Sequence, residues 1–154
     1  MKCEPVLSPA LDSTKKDFSG ACHCGAVRFR AVLSAGLSSA RRCNCSLCRM
    51  RGAVTVSARL ADFEILEGAE YLSLYEFNTR TAKHYFCSRC GIYTHHKRRS
   101  DPTEYGLNSA CLEGVSPFDF EEVPVSQGVF HPSDPESAGI PGIVGILSFK
   151  PISD

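Results

Sequence analysis

Seven of the nine cysteines lie in three short clusters, and their spacing favours one kind of chemistry. The clusters are CHCG at residues 22–25, CNCSLC at residues 43–48 and CSRCG at residues 87–91. Tetrahedral zinc takes four ligands at Zn–S distances of about 2.3 Å, so its sulfurs must converge from short, sharply turned segments. The glycine after a second ligand permits a positive φ, which lets backbone amides point at the sulfurs. The sequence therefore predicts thiolate metal sites.

The first and third clusters together supply four thiolates. Pairing Cys22 and Cys24 with Cys87 and Cys90 would join segments about sixty residues apart in one closed site. A structural zinc can contribute roughly 10–16 kcal/mol of apparent binding free energy to folding. The alternative is a set of buried apolar thiols without metal.

The middle cluster supplies three thiolates, Cys43, Cys45 and Cys48. A fourth position would be left for water, a substrate or a more distant side chain, as in catalytic zinc sites. A redox thiol cluster is the alternative interpretation. Cys111 is either a buried core thiol or that fourth ligand, and Cys3 is expected to be a free thiol. We therefore expect two Zn²⁺ ions per chain, one structural and one catalytic.

Composition excludes several classes of protein. Seventeen basic residues balance seventeen acidic ones, so the broad electrostatic attraction used by nucleic-acid and anionic-membrane binding is missing. The N-terminal residues do not resemble a secretory signal, and no apolar stretch approaches the 20 or so residues of a membrane span. An odd cysteine count without an export signal argues against a disulfide scaffold. We expect a cytoplasmic protein with reduced thiols, and no nucleic-acid or membrane partner.

Period-2 patterns dominate the chain and predict a mostly-β fold. Apolar residues alternate with arginines from residue 26 to residue 33. Further short β-type segments are GAVTVSARL, FEILEG, YLSLYEF, KHYFC, GIYTHHK and EYGLN. Helix is expected only as one or two turns through SLCRMR, after Asn44.

The ends of the chain have a different composition. We expect a polar leader over residues 1–19, a zinc-binding domain over 20–130 and a loop-rich C-terminal tail over 131–154. The Pro- and Gly-rich segment after Phe118 is typical of surface loop. The segment GIVGILSFKPISD is either a last strand or peripheral chain.

Adjacent histidines and a basic run follow the third cluster. His95 and His96 should point to opposite faces of a strand, so only one of them could face a metal. The run Lys97-Arg98-Arg99 is either a solvated loop or a site that receives a carboxylate.

Taken together, GACHCGAVRF, CNCSLCR and FCSRCG, in this order, resemble the glutathione-dependent formaldehyde-activating family, which includes centromere protein V. The resemblance runs from about Gly20 to Gln127. It implies the β-tent fold, in which small antiparallel sheets meet around a structural zinc. By this resemblance Cys22, Cys24, Cys87 and Cys90 match the structural zinc ligands, and Cys43, Cys45 and Cys48 match the catalytic ones.

The resemblance also implies an activity. The family adds the sulfur of glutathione to formaldehyde, giving S-hydroxymethylglutathione, or cleaves that C–S bond. The open zinc would either hold a thiolate or polarise the aldehyde oxygen. Arg49 or Arg98 would anchor a glutathione carboxylate, and the catalytic acid and base are unassigned. The segment HHKRRSDPTEY departs from the family pattern, which leaves open a different aldehyde or thiol.

Two other functions fit parts of the sequence. A zinc-stabilised protein-binding module needs only the four-thiolate site, so the three-thiolate cluster favours the enzyme. A methionine sulfoxide reductase of similar fold normally carries two CxxC pairs and a separate nucleophile, and here only Cys111 could serve.

Overall fold

The computed structural model describes residues 11–153, and β-structure dominates them. The ten strands are β1 (Asp17–Ala21), β2 (Arg28–Leu33), β3 (Arg42–Cys43), β4 (Thr55–Glu67), β5 (Leu72–Tyr75), β6 (Lys83–Cys87), β7 (Tyr93–Lys97), β8 (Glu104–Asn108), β9 (Glu122–Ser126) and β10 (Ile143–Ser148). The α-helix α1 covers Ser46–Arg51, and 3-10 turns cover Gly36–Ser39, Ala69–Tyr71, Ser109–Cys111, Pro117–Asp119 and Pro135–Ser137. None of the helices in this described part is long or apolar enough to cross a membrane. The mostly-β prediction is confirmed.

The strands form two sheets. The larger sheet has seven antiparallel strands in the order β1-β2-β4-β8-β7-β6-β5. The smaller sheet has the order β10-β9-β3, in which β9 pairs antiparallel with β10 and parallel with β3. Small sheets of this kind agree with the β-tent expectation.

The alternation predicted from residue 26 onward places one face of β2 in the core. Phe29, Ala31 and Leu33 are 0–1% exposed, while Arg28 and Arg30 point outward. Strands with a period of two present every second side chain to the same face, so the apolar set packs together. This strand pairs with both β1 and β4 and lies in the main core.

Two predicted boundaries differ from the structure. The segments GAVTVSARL and FEILEG are one continuous strand, β4, because no Gly or Pro interrupts the chain between them. At the N-terminal side, β1 begins at Asp17, before the expected start of the ordered domain at residue 20. Its signal in the sequence is weak because only Phe18, 4% exposed, places a large apolar side chain in the core.

The segment after Phe118, expected to be surface loop, contains strand β9, and Val123 of that strand is 5% exposed. The loop prediction is therefore wrong for Glu122–Ser126. Pro124 disfavours a strand in isolation, but β9 lies between β3 and β10, which supply its hydrogen-bond partners. The C-terminal segment forms β10, and each of its residues is exposed.

The two ends of the larger sheet come together through the cysteine clusters. Cys22 follows β1 at one end of the strand order, and Cys87 ends β6 near the other end. Both side chains pack with Val27 in a second small core, against Tyr71 and Leu72. The sheet therefore curls until distant strands meet at the predicted closed site.

Candidate metal centre and cavity

The first and third cysteine clusters converge as predicted. The Sγ atoms of Cys22, Cys24, Cys87 and Cys90 all lie within 4.8 Å of one another. Cys24 Sγ is 3.6 Å from Cys22 Sγ and 3.8 Å from Cys87 Sγ. Four sulfurs about 2.3 Å from a tetrahedral metal would be separated by about 3.8 Å. The spacing fits a zinc ion and is far longer than a disulfide bond of about 2.05 Å.

Tight backbone turns hold these four thiols. Gly25 and Gly91 have φ values of 75° and 76°, which a side chain would disfavour. The amide of Gly91 donates to the carbonyl of Cys87 at 2.7 Å, and the amide of Val27 donates to Cys22 Sγ at 3.3 Å. Amides directed at sulfur stabilise the thiolate form that binds metal. The positive φ predicted for the glycine after the second ligand is confirmed at Gly91.

The middle cluster converges as well, with the Sγ atoms of Cys43, Cys45 and Cys48 within 4.8 Å of one another. Cys45 caps helix α1, and its sulfur accepts from the amide of Cys48 at 3.4 Å. The amide of Cys45 donates in turn to Cys43 Sγ at 3.4 Å. Among residues 11–153, no fourth His, Cys, Asp or Glu joins this group. Three converging thiols fit a zinc ion with a further position open to a ligand.

A loop after β9 covers the open cluster, and the sequence did not indicate it. A Cβ built on Gly128 would lie 2.4 Å from Cys43 Sγ and 2.8 Å from Cys45 Cβ. Asn44 Oδ1 accepts from the amides of Gly128 and Val129 at 2.7 and 3.2 Å, which ties the loop to the cluster. In the sequence, the position of Asn44 between two predicted ligands is the feature that could have indicated this contact.

The three thiols line a cavity of about 690 Å³, within the usual size range of small-molecule sites. Five arginines line it as well: Arg41, Arg49, Arg51, Arg98 and Arg99. Asp134, which is paired with Arg99, is the single carboxylate among the lining residues that the structure describes. The cavity is therefore strongly basic although the chain has no net charge.

Arg98 is buried, so the solvated-loop interpretation of the basic run is wrong at this position. The side chain is 5% exposed and donates from Nη2 to Ser57 Oγ at 2.8 Å. Its Nε has no hydrogen-bond partner among the described residues. Arg49 and Arg98, the two predicted carboxylate anchors, both line the cavity.

Arg51 connects the open cluster to a group of aromatic rings. Its Nη2 donates to Cys48 Sγ at 3.3 Å, and its Nη1 lies 3.2 Å from His84 Nδ1. The guanidinium carbon lies 3.5 Å from the centre of the Tyr93 ring, in cation–π contact. Burial, together with Arg51, lowers the pKa of His84 to about 4. His84, Arg51 and Tyr93 were not predicted as a group because they are distant in sequence.

The adjacent histidines of β7 lie on opposite faces, as predicted. His96 lines the cavity and stacks on His84 with ring centres 5.2 Å apart. His95 lies on the other face, 3% exposed, and stacks on Tyr85 at 4.6 Å. Burial lowers the pKa of His95 to about 3, and it lowers the pKa of His96 well below the ordinary value. Both rings are therefore neutral at physiological pH.

Cys111 is a core thiol and not a ligand of either group. It is 7% exposed, packs in the main core, and lies 3.6 Å from the carbonyl of Tyr93. Burial raises its pKa to about 12, which suits neither a metal ligand nor a nucleophile. The core interpretation is confirmed. Cys3 lies outside the described residues.

Comparison with known proteins agrees with this arrangement. A family model described as glutathione-dependent formaldehyde-activating enzyme matches residues 17–124. A protein of Halomonas elongata named putative glutathione-dependent formaldehyde-activating enzyme is 41% identical over 80 residues, which cover 46% of this chain and 50% of that protein. The chain thus spans about half the length of this curated relative.

A solved structure is similar over most of the domain. The crystal structure of a Rhodobacter sphaeroides protein is 59% identical, with a TM-score of 0.69, and the match covers 70% of this chain and 99% of that one. Because the family model spans both the four-thiolate and the three-thiolate clusters, the chain belongs to the glutathione-dependent formaldehyde-activating enzyme family.

Proposed function

We propose that this protein is a zinc-dependent carbon–sulfur lyase that adds the thiol of glutathione to a small aldehyde, formaldehyde in the first instance, or reverses that addition. The observation that carries the proposal is the opening of the three-thiolate cluster onto a basic cavity. A purely structural metal site would be closed by a fourth ligand.

The cavity has the size and charge that a glutathione adduct requires. Glutathione is a tripeptide with two carboxylates. The cavity is lined by five arginines and only one carboxylate among the described residues, so enough arginines are present to bind both carboxylates of glutathione. Bound zinc would supply a thiolate nucleophile at neutral pH or Lewis-acid polarisation of the aldehyde oxygen. The chain itself would orient the adduct, through Arg49 and Arg98, with its reacting carbon toward the thiol cluster.

The proposal includes the metal ligands and the cellular setting. Cys22, Cys24, Cys87 and Cys90 would hold a structural zinc, and Cys43, Cys45 and Cys48 a catalytic one, giving two Zn²⁺ per chain. We also infer a cytoplasmic location, because the eight described cysteines are all free and reduced glutathione is a cytosolic thiol. Fluorescent tagging of the full chain would test the location.

A zinc-stabilised binding module without turnover is the second candidate. Strand β10 supports it, because the segment from Ile143 to Ser148 is exposed throughout and carries no charge. An exposed uncharged edge strand is a common place for partner binding. Turnover of a glutathione adduct would exclude this alternative as the main function.

The deciding experiment is zinc content and glutathione–formaldehyde adduct formation in the parent and in Cys45→Ser. We expect two zinc ions per parent chain, and one in the variant, which should stay folded and lose adduct formation. Cys111→Ser is the matched control, because it removes a thiol outside both clusters, and it should keep both metals. One zinc per parent chain, or full activity in Cys45→Ser, would refute the enzyme.

A further inference from the structure

The tautomer of His84 is set by Arg51. A guanidinium carries only donors, so the 3.2 Å contact from Arg51 Nη1 requires a lone pair on His84 Nδ1. A neutral imidazole carries its one proton on the other ring nitrogen. His84 therefore holds that proton on Nε2, where it is a hydrogen-bond donor.

The tautomer of His96 is the opposite one. Tyr93 Oη is 3.1 Å from the carbonyl of Gly106, which only accepts, so the single phenolic proton goes there. Tyr93 Oη is also 2.6 Å from His96 Nδ1 and must accept from it. His96 therefore carries its proton on Nδ1 and has a lone pair on Nε2.

Gly106 also fixes the position of the His96 ring. A Cβ at this residue would lie 2.4 Å from His96 Cε1 and about 3 Å from both ring nitrogens. Only a glycine lets the ring lie flat against the backbone of β8 while Nδ1 reaches Tyr93. The ring cannot rotate freely, so Nε2 keeps one direction.

His84 and His96 both line the cavity, and their Nε2 atoms have no hydrogen-bond partner among the described residues. Within residues 11–153, the only hydrogen-bond contacts of these rings are those made by their Nδ1 atoms. The Nε2 atoms are also accessible to solvent. The buried side-chain nitrogen and oxygen atoms without a hydrogen-bond partner in the described residues are Arg98 Nε, Ser109 Oγ and Ser126 Oγ. Stacked rings that line one cavity thus present one donor and one acceptor side by side.

We propose that His84 and His96 are a donor–acceptor pair for the aldehyde oxygen and the thiol proton of the proposed reaction. The pair and the open cluster line the same cavity, and one guanidinium, that of Arg51, contacts both Cys48 Sγ and His84 Nδ1. The inference rests on the proposed function and assigns the proton transfer that it requires.

The step balances without any further reactant. During addition the S–H bond breaks and its proton passes to His96 Nε2, while a sulfur electron pair forms the C–S bond. The carbonyl π pair moves onto oxygen, which then takes the proton from His96 Nε2. The Nε2–H of His84 donates a hydrogen bond to that oxygen throughout and keeps its proton. Cleavage follows the same path in reverse.

Nuclear magnetic resonance of the zinc-loaded protein tests the tautomers independently of activity. Ring nitrogens with and without a proton have well-separated ¹⁵N shifts. At neutral pH we expect protonated Nε2 in His84 and protonated Nδ1 in His96. The same tautomer in both rings, or the reverse assignment, would overturn the proposal even in an active enzyme.

Glutamine variants test the two roles. The amide nitrogen of Gln can occupy the position of Nε2 and donate a hydrogen bond there, but it cannot accept a proton. His84→Gln should lose less than about tenfold in kcat/KM, while His84→Leu should lose about 100-fold. His96→Gln should lose at least about 100-fold, since an amide cannot take up the thiol proton. Zinc content should stay at two per chain in all three. Equal losses in His84→Gln and His96→Gln, or an active His96→Gln, would refute the pair.

Failure of the proposed function would look different. A parent protein that binds two zinc ions and shows opposite tautomers, but forms no adduct, would refute the glutathione chemistry. An active parent protein in which His84 and His96 have the same tautomer would refute the histidine pair alone.

Discussion

Gly128 is the residue on which the open cluster most depends, although it contributes no side chain. Its backbone packs against Cys43 and Cys45, and an added methyl group would meet Cys43 Sγ at 2.4 Å. We predict that Gly128→Ala displaces this sulfur and lowers zinc content from two to one per chain without unfolding the domain. Metal analysis together with circular dichroism would measure both effects.

Gly142 provides the matched control. It lies in the same cavity wall, and a Cβ there meets nothing within 4 Å. Gly142→Ala should therefore keep two zinc ions. If both variants kept both metals, the close contact at Gly128 would not constrain the cluster.

His95 gives a prediction for stability against pH. Its pKa in the folded protein is about 3, against about 6.5 in an unfolded chain, so the unfolded state binds more protons between these values. The contribution of His95 to the unfolding free energy is thus fully present above pH 6.5 and is lost as the pH falls toward 3. From pH 7.5 to 5.5, His95→Phe should lose about 1.4 kcal/mol less unfolding free energy than the parent.

Urea unfolding of both zinc-loaded proteins at the two pH values measures this difference. Phe suits the site, where the His95 ring stacks on Tyr85 and packs against Phe63 and Tyr105. Metal loss affects both proteins alike and cancels in the comparison. Identical pH dependence would mean that folding does not lower the pKa of His95.

At the scale of elements, β9 and β10 support the open cluster. Ser126 of β9 pairs with Cys43, and the loop that follows covers the thiols. Strand β10 pairs along β9 from Ser126 to Glu122, whereas β3 pairs with only two of its residues. The C-terminal strand therefore holds the backbone that positions the cluster.

We predict that removing residues 143–154 weakens zinc binding at the open cluster by at least about tenfold, the usual effect of losing supporting contacts. The four-thiolate site should keep its metal, because its ligands lie in other elements. Chelator competition would resolve the two affinities. Removing only residues 150–154 is the control, because residues 150–153 follow β10 and are exposed. Equal weakening in both truncations would contradict the role of β10.

At the scale of the whole molecule, the four-thiolate site closes the larger sheet. It joins the end of β1 to the turn after β6, across the strand order of that sheet. A structural zinc contributes roughly 10–16 kcal/mol to folding, as much as the typical net stability of a domain.

Cys87→Ser should therefore abolish cooperative thermal unfolding, while Cys45→Ser should retain it. The two variants make the same chemical change in different clusters, so each is the control for the other. Scanning calorimetry of the purified proteins would make the comparison. A cooperative transition of parental size in Cys87→Ser would show that the closed site does not hold the sheet together.

Local patterns in the sequence were enough for the strands and for both thiol groups. Alternation is a local property, so β2 and the strands from β4 to β8 could be predicted, and so could the short helix after Asn44. Cysteine spacing within a turn is local too, and it placed Cys43, Cys45 and Cys48 together. The pairing of Cys22 and Cys24 with Cys87 and Cys90 needed only the rule that zinc takes four ligands.

Tertiary structure alone decided what surrounds the open cluster. Strand β9 forms because neighbouring strands satisfy its backbone, despite its proline. Arg51, His84 and Tyr93 meet because α1, β6 and β7 converge there, and no pattern within any one of these segments specifies that. Ligand spacing within a turn is set by covalent geometry, whereas a cavity wall is set by packing between segments distant along the chain.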